Sequence, residues 1–107
     1  MPDPLRGQVY WYDLRPYGRK PFLVISPNER NRRLDTVIAA RVTSTQRDLP
    51  TWVRLTDADP LPGSNVNCDD IEQVYKDELL ENLGACTRAT MRRVNQTLAL
   101  ALDLLRD

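Results

Sequence analysis

The sequence predicts a mostly β protein, a small antiparallel barrel closed by one C-terminal helix. The chain has 107 residues, which is the length of one domain with a single core. Up to Tyr75 it consists of short β-branched and aromatic segments joined by short polar connections. After Thr87 the apolar residues recur at three- and four-residue steps, as on one face of a helix. We therefore treat residues 1–107 as one domain.

The first two strands are predicted on either side of a short turn. From Gln8 to Leu14 the chain is aromatic and β-branched, which is the composition of a strand. The residues Arg15-Pro16-Tyr17-Gly18 favour a turn, and Pro21 to Ile25 is a short apolar run that would cross the core. The sequence therefore predicts two strands joined by a tight connection.

The middle of the chain contains the next predicted strands. A polar loop is expected from Asn28 to Asp35, and a third strand from Thr36 to Thr43. A fourth strand is expected from Trp52 to Leu55, followed by a loop rich in Asp, Pro and Gly between Asp57 and Gly63. Residues Ser64 to Tyr75 should hold one or two further strands.

The last quarter of the chain predicts a change to helix. Lys76 to Leu83 should form a short helical turn, and Gly84 to Cys86 a last brief strand. Thr87 is a favourable N-cap for a helix that begins at Arg88. The apolar face of this helix should consist of Met91, Val94, Leu98, Leu102 and Leu105.

The charges of the chain are unevenly distributed along it. The formal net charge is zero, but residues 1–54 carry ten Lys or Arg against five Asp or Glu, and residues 55–107 carry five against ten. Such segregation suggests one basic face, which a phosphate backbone would require.

Composition also limits the compartment and the chemistry. No apolar run approaches the roughly 20 residues that span a bilayer, and the first residues do not resemble a secretory signal. We therefore expect a cytoplasmic protein that does not associate with membranes. In a reducing compartment Cys68 and Cys86 should be small core residues, and without any histidine in the chain they do not indicate a zinc site.

A series of short motifs runs in a specific order from about Arg6 to Leu105. The motifs are Arg6-Gly7-Gln8-Val9-Tyr10-Trp11, Lys20-Pro21, Asn31-Arg32, Val37 to Thr43, Leu49-Pro50-Thr51-Trp52-Val53, Asp70-Ile71, the turn from Lys76 to Leu79, and the helix capped by Thr87. Together they resemble the MazF/PemK family of type II toxins, and in particular the actinobacterial MazF toxins.

The resemblance implies both a fold and an activity. The fold is an SH3-like small β-barrel of the CcdB/PemK type that forms a homodimer, with RNA in a groove near the subunit interface. The implied activity is that of a metal-independent, sequence-specific endoribonuclease without a cofactor. It would cut single-stranded RNA, in a messenger or in a transfer RNA loop, through the 2′-hydroxyl, and so inhibit translation and growth. The implied partner is an acidic, MazE-like antitoxin that covers the cleft.

The resemblance also indicates catalytic residues. Position by position, the catalytic arginine of the family falls on Lys20, with Arg19 beside it, and the catalytic threonine falls on Thr43. Cleavage through the 2′-hydroxyl requires a base, a cation or donor for the phosphate, and an acid. We assign the phosphate and the developing oxyanion to Arg19 and Lys20, with Lys20 the better candidate for proton transfer, and a donated hydrogen bond to Thr43. Ser44 or Thr45 could take the place of Thr43.

A wider set of residues is predicted to bind RNA. These are Tyr17, Asn31, Arg32, Arg41, Ser44, Arg47 and Asp70. Tyr17 lies in a turn where its ring could stack on an unpaired base, and the arginines could bind phosphates along the strand. Asp70 is included because the resemblance implies that its position helps to recognise RNA. The other large aromatic residues lie in predicted strands and are expected in the core: Trp11, Phe22 and Trp52.

Three alternatives stay open at this point. The loop before Lys20 is shorter than in many family members and lacks a carboxylate, so the general base is unassigned and a catalytically inactive interaction module is one alternative. Asp70 and Glu72 would share a strand face, so a metal nuclease is a second alternative. It is less favoured, because a catalytic site for a hard cation usually takes several oxygen ligands from different elements. A CcdB-like gyrase poison is the third, but such proteins end in Trp-Gly-Ile and this chain has no tryptophan after Trp52.

Overall fold

The computed structural model describes residues 2–104. Within them the chain forms six β-strands, two α-helices and one turn of 3-10 helix. In chain order they are β1 (Gln8–Asp13), β2 (Arg19–Val24), α1 (Asn28–Arg33), β3 (Thr36–Thr43), β4 (Trp52–Arg54), β5 (Asn65–Tyr75), the 3-10 turn (Lys76–Glu78), β6 (Leu79–Ala85) and α2 (Arg88–Leu102). The predicted class, mostly β with a C-terminal helix, is confirmed.

The six strands form one antiparallel sheet in the order β4-β5-β3-β2-β1-β6. Phe22 of β2 pairs with Tyr10 of β1 on one side and with Arg41 of β3 on the other. β5 lies between β3 and β4. The edge strands β4 and β6 are not neighbours in this order, so the fold is barrel-like but its hydrogen-bonded ladder is not closed.

Hydrophobic side chains from the two faces of the sheet form two clusters. The larger cluster lies under α2 and comprises Val9, Leu23, Ala40, Val42, Val53, Leu55, Val66, Cys68, Val94 and Leu98. The smaller cluster lies on the opposite face and comprises Phe22, Val24, Val37, Ala39 and Val74. Because successive strand residues point to opposite faces, Lys20 and Arg41 lie on the face of the smaller cluster.

The structure corrects two predictions of secondary structure and confirms a third. Residues 28–33, expected in a loop, form α1. Residues 79–83, expected in a helical turn, belong to β6, because their pairing with β1 overrides the local helical pattern. Residues 65–75 form one long strand, with a shift of register opposite Ala40 and Arg41.

The apolar face of α2 is shorter than predicted. Val94 and Leu98 are buried against the larger cluster, as expected. Leu102 is 48% exposed, since the last turn of α2 extends past the sheet, and Leu105 lies outside the described residues. Neither α2 nor any other helix among residues 2–104 is long and apolar enough to cross a membrane.

A buried carboxylate fixes the start of α2. Thr87 caps the helix as predicted, and its hydroxyl accepts a hydrogen bond of 3.1 Å from the backbone N–H of Thr90. Asp59, in the loop between β4 and β5, accepts hydrogen bonds from the Thr87 backbone N–H at 2.9 Å and from the Thr90 hydroxyl at 2.7 Å. It also accepts two bonds from Thr56, one from the backbone N–H and one from the hydroxyl. We call Asp59, Thr56, Thr87 and Thr90 the cap site.

The two cysteines are unpaired, as predicted. Cys68 is buried and Cys86 half-buried. Burial, assisted by the charge of Asp69, raises the pKa of Cys68 to about 11, and burial together with the charge of Asp59 raises that of Cys86 to about 12. Both thiols therefore stay protonated at neutral pH and act as small apolar side chains.

Candidate active site

A cleft of about 350 Å³ opens where β2 begins and β3 ends. It is lined by Trp11, Arg19, Lys20, Pro21, Arg41, Val42, Thr43, Ser44, Thr45, Leu61 and Ser64. We call it the central cleft. It brings together the three predicted catalytic residues and two of the predicted RNA-binding residues, although they come from separate strands.

The turn between β1 and β2 positions Arg19 and Lys20. The Leu14 backbone N–H donates to the carbonyl of Gly18 at 2.9 Å, and Gly18 adopts a φ of +83°, which residues with a side chain rarely adopt. Arg19 and Lys20 then begin β2 directly opposite the last two residues of β1. Because neighbouring strand residues alternate between faces, the two cations approach the central cleft from different sides.

The two basic residues of this turn differ in exposure and contacts. The guanidinium of Arg19 lies over the ring of Trp11, 5.8 Å from its centroid, and is otherwise exposed. Lys20 is half-buried. Neither forms an ion pair within residues 2–104. Both positive charges are therefore available to an anionic ligand.

Thr43 ends β3 in a segment that side chains hold in place. Its hydroxyl accepts a hydrogen bond of 3.2 Å from the Thr45 backbone N–H. The amide of the buried Asn65 donates to the Thr45 carbonyl at 3.1 Å, and the Gln46 amide donates to the Gly63 carbonyl at 2.9 Å. Since the Thr43 oxygen already accepts a bond, its proton remains free to donate to a ligand in the cleft.

Arg41 has an unsatisfied hydrogen-bond donor. Among residues 2–104, its Nε is the one buried side-chain nitrogen or oxygen without a hydrogen-bond partner. The strand partners of Arg41 are Phe22 and Asn67, and Phe22 offers it no acceptor. A buried donor without a partner costs about 1–3 kcal/mol. Arg41 lines the cleft, where its guanidinium carries no ion pair within the described part of the chain and can bind a phosphate.

A second cleft, of about 550 Å³, shares Lys20 and Arg41 with the first. Its other lining residues are Leu14, Tyr17, Asp70 and Glu72. We call it the flanking cleft. Tyr17 is 72% exposed at its rim, where a base could stack on the ring. The flanking cleft contains two carboxylates, Asp70 and Glu72, whereas the turn before Lys20 contains none.

A larger cleft of about 720 Å³ lies on the other side of Arg19. Its lining includes the carboxylates of Asp13, Asp77 and Glu78. Arg15 and Arg19 also line this cleft, and Arg15 pairs with Asp13, so three carboxylates against two cations leave a net charge of −1. The central cleft has three cations, Arg19, Lys20 and Arg41, and no carboxylate among the described residues that line it, which favours a phosphate more.

Two predicted RNA-binding residues lie far from these clefts. Asn31 is fully buried, accepts a hydrogen bond from the Ser26 hydroxyl and donates to the carbonyls of Pro4 and Ser26. Its amide holds α1 in place, and the prediction that it contacts RNA is wrong. Arg32 is exposed on α1 and pairs with Glu29 at 2.5 Å. The helix packs near the start of β3, about seven residues and roughly 20 Å from the cleft at the other end of that strand.

The structure also adds residues to the site and separates one from it. Leu61 and Ser64 line the central cleft from the β4–β5 loop, where Leu61 adopts a φ of +54°, and no motif in the sequence marks them. Trp11, expected in the core, is half-buried and lines the same cleft. Arg47 lines neither cleft and lies over the ring of Trp52. Residues 2–104 contain no group of three or more His, Cys, Asp or Glu side chains placed to hold a metal ion.

The chain is similar to known proteins over nearly its whole length. Residues 5–102 match the family described as PemK-like, MazF-like toxin of type II toxin-antitoxin system. The curated endoribonucleases MazF1 of Mycobacterium bovis and MazF4 of Mycobacterium tuberculosis are each 53% identical to this chain over 104 residues, which cover 97% of both sequences. A solved mycobacterial endoribonuclease in complex with its cognate antitoxin superposes with a TM-score of 0.92 at 52% identity, covering 97% of this chain and 99% of that one. This chain therefore belongs to the family of PemK-like, MazF-like toxins of type II toxin–antitoxin systems.

Proposed function

We propose that this chain, an endoribonuclease of that family, cleaves single-stranded RNA in the central cleft without a metal ion. The attacking group is the ribose 2′-hydroxyl next to the scissile phosphate, and the products carry a 2′,3′-cyclic phosphate and a 5′-hydroxyl. The observation that supports this most is the convergence of Arg19, Lys20, Arg41 and Thr43 on one cleft. These are cations and a hydroxyl donor, the groups that stabilise a phosphate as its negative charge increases.

Each step of the reaction has a candidate group. A carboxylate of the flanking cleft, Asp70 or Glu72, removes the proton of the 2′-hydroxyl, whose oxygen then bonds to phosphorus. The bond from phosphorus to the 5′-oxygen breaks, and the ammonium of Lys20 donates a proton to that oxygen. The same phosphate can reach both groups, because Lys20 lines the central and the flanking cleft.

The charge that develops on the phosphate oxygens is met by donors that line the central cleft. Arg41 offers its guanidinium, and Thr43 offers a hydroxyl whose oxygen is held in position by the bond from the Thr45 backbone N–H. Arg19 adds a planar guanidinium that can bind two phosphate oxygens. Fixed donors of this kind stabilise a transition state more than a ground state.

We further propose that the protein acts as a homodimer in the cytoplasm and is inhibited by an acidic, MazE-like antitoxin. The antitoxin in the solved mycobacterial complex supports a partner of this class. An acidic, partly disordered segment that folds across the clefts would place its carboxylates near Lys20 and Arg41, where the RNA phosphate would otherwise bind. Antitoxin and RNA should therefore compete.

The decisive experiment incubates the purified protein with a long unstructured RNA in excess EDTA. Lys20→Ala and Thr43→Ala should each lower the cleavage rate by at least about 100-fold, which is the usual loss when a transition-state donor or a proton-transfer group is removed. The matched control is Arg33→Ala, because Arg33 is an exposed arginine paired with Glu29 on α1, and it should cleave at the unchanged rate. Asp70→Asn and Glu72→Gln then identify the base.

The ends of the fragments test the chemistry separately from the residues. Discrete cuts with 5′-hydroxyl ends in EDTA support the proposed route. Cleavage that appears only after magnesium is restored, or fragments with 5′-phosphate ends, would show that the reaction does not use the 2′-hydroxyl as proposed.

A further inference from the structure

A second arginine–tryptophan pair lies at the edge strand β4, outside both clefts. Trp52 belongs to β4, and Arg47 lies in the connection between β3 and β4. Trp52 is half-buried, and the guanidinium of the exposed Arg47 lies over its ring, 5.8 Å from the centroid. Trp52 belongs to neither hydrophobic cluster, although the sequence predicts it for the core. The surface of the protein at β4 therefore presents an indole ring with the guanidinium of Arg47 over it.

Strand register aligns this pair with the central cleft. Trp52 pairs with Asn67 of β5, and Asn67 pairs with Arg41 of β3. Directly paired residues of antiparallel strands point to the same face of the sheet, and neighbouring strands lie about 4.8 Å apart. The Cα atoms of Trp52 and Arg41 are therefore two strands, roughly 10 Å, apart on the same face of the sheet.

The residue between them can hydrogen-bond a ligand. The side-chain oxygen of Asn67 accepts a bond of 2.9 Å from the Asp69 backbone N–H, which leaves its amide N–H groups free to donate. In single-stranded RNA the bases are recognised by stacking on aromatic rings and by hydrogen bonds to their edges. Trp52 offers the ring, Arg47 a cation for stacking or for a phosphate, and Asn67 the edge donor.

We propose that Trp52, Arg47 and Asn67 form a base-binding subsite for an unpaired nucleotide next to the one that is cut. The proposal rests on the proposed function, in that RNA must bind in the central cleft. A strand held there by Arg41 and extended towards β4 places one of its bases on the Trp52 ring. The subsite contributes to affinity and to the choice of sequence beside the cut, and not to the chemical step.

The test measures binding to RNA that cannot be cut. The chain has two tryptophans, so a Trp11→Phe background leaves Trp52 as the only fluorescent indole. We expect its emission to be quenched when a mixed-sequence pool of 2′-O-methyl oligonucleotides is added, as stacking on a base requires. Trp52→Ala should weaken binding by about tenfold or more, measured by anisotropy of labelled oligonucleotides, and Trp52→Phe should restore most of the affinity.

Two comparisons separate a binding role from a structural one. Arg54→Ala is the matched control, because Arg54 is an exposed arginine on the same strand as Trp52. It should change binding much less than Arg47→Ala. In the cleavage assay Trp52→Ala should raise KM and relax the base preference at one position beside the cut, with kcat unchanged. If Trp52→Ala unfolds the protein, Arg47→Ala and Trp52→Phe still report on the subsite.

The results would also distinguish this proposal from the proposed function. Quenching and tryptophan-dependent binding without any cleavage would support the subsite and contradict the ribonuclease chemistry. Metal-free cleavage with the affinity, KM and base preference of Trp52→Ala unchanged would overturn the subsite alone. If Trp52→Ala weakened only inhibition by an acidic antitoxin peptide, the surface would bind protein and the proposal would also be overturned.

Discussion

The central cleft and the cap site are both polar, but they differ in how their hydrogen bonds are satisfied. At the cap site the buried carboxylate of Asp59 accepts four hydrogen bonds, all from Thr56, Thr87 and Thr90. In the central cleft the half-buried guanidinium of Arg41 leaves its Nε without a partner. Buried polar groups are normally hydrogen-bonded, so the cap site follows the rule and the cleft departs from it.

The difference separates stability from function. A carboxylate with all its bonds made stabilises the fold and has no capacity left for a ligand. A cation with an unpaired donor can still form bonds when an anion binds. The same strand ends and loops therefore contain one site that fixes α2 and one that we propose binds a phosphate.

The largest expected effect comes from removing the unmet donor. Arg41→Met keeps most of the side-chain volume and should lower kcat/KM for RNA cleavage by about 100- to 1000-fold, as the loss of a transition-state donor does. Its free energy of unfolding, measured with urea, should stay the same or increase. Arg32→Met on α1 is the control and should alter neither quantity. A clearly destabilised but fully active Arg41→Met protein would reverse the assignment of the two sites.

The cap site should respond in the opposite way. Asp59→Ala removes the acceptor of four hydrogen bonds and should lower the free energy of unfolding by about 2–4 kcal/mol, measured in urea. The cleavage rate of the protein that remains folded should stay close to that of the unchanged chain, because Asp59 lines neither cleft. Asp57→Ala, an exposed carboxylate in the same loop, should leave stability unchanged. Loss of catalysis in folded Asp59→Ala would show that the loop carrying Leu61 depends on this contact.

The sequence predicted the first of these regions better than the second. The motif around Lys20 and the end of β3 at Thr43 lie within continuous strands, whose pattern is visible locally. The structure brings Lys20 and Thr43 together in the central cleft. Asp59 contacts residues 28 and 31 positions away in the sequence, and Asn31 contacts a residue 27 positions away. A single sequence contains no local signal for such contacts.

Two further differences have the same origin. Trp52 is a large aromatic residue in a strand, which is typical of a core position. However, β4 is an edge strand with a partner on one side only, so Trp52 stays partly exposed. In the sequence Glu72 is a candidate metal ligand. Only the pairing of β3 with β5 brings it into a cleft with Lys20 and Arg41. Local pattern identified the strands, and the order of the strands in the sheet decided which residues meet.

The smallest expected effect is a dependence of stability on pH that arises at the cap site. Burial alone would raise the pKa of Asp59, but the hydrogen bonds from Thr56, Thr87 and Thr90 to its carboxylate outweigh burial and lower the pKa below its ordinary value of 3.8. In the unfolded chain the group binds its proton more readily, so its contribution to stability is complete above about pH 4 and is lost as pH falls through the lower folded-state pKa. Urea unfolding of the unchanged chain and of Asp59→Ala, compared at pH 6 and at pH 3, should therefore give a smaller difference at pH 3. An equal difference at both values would mean that the Asp59 carboxylate is no more acidic in the fold than in the unfolded chain, and that the cap site gains nothing from its charge.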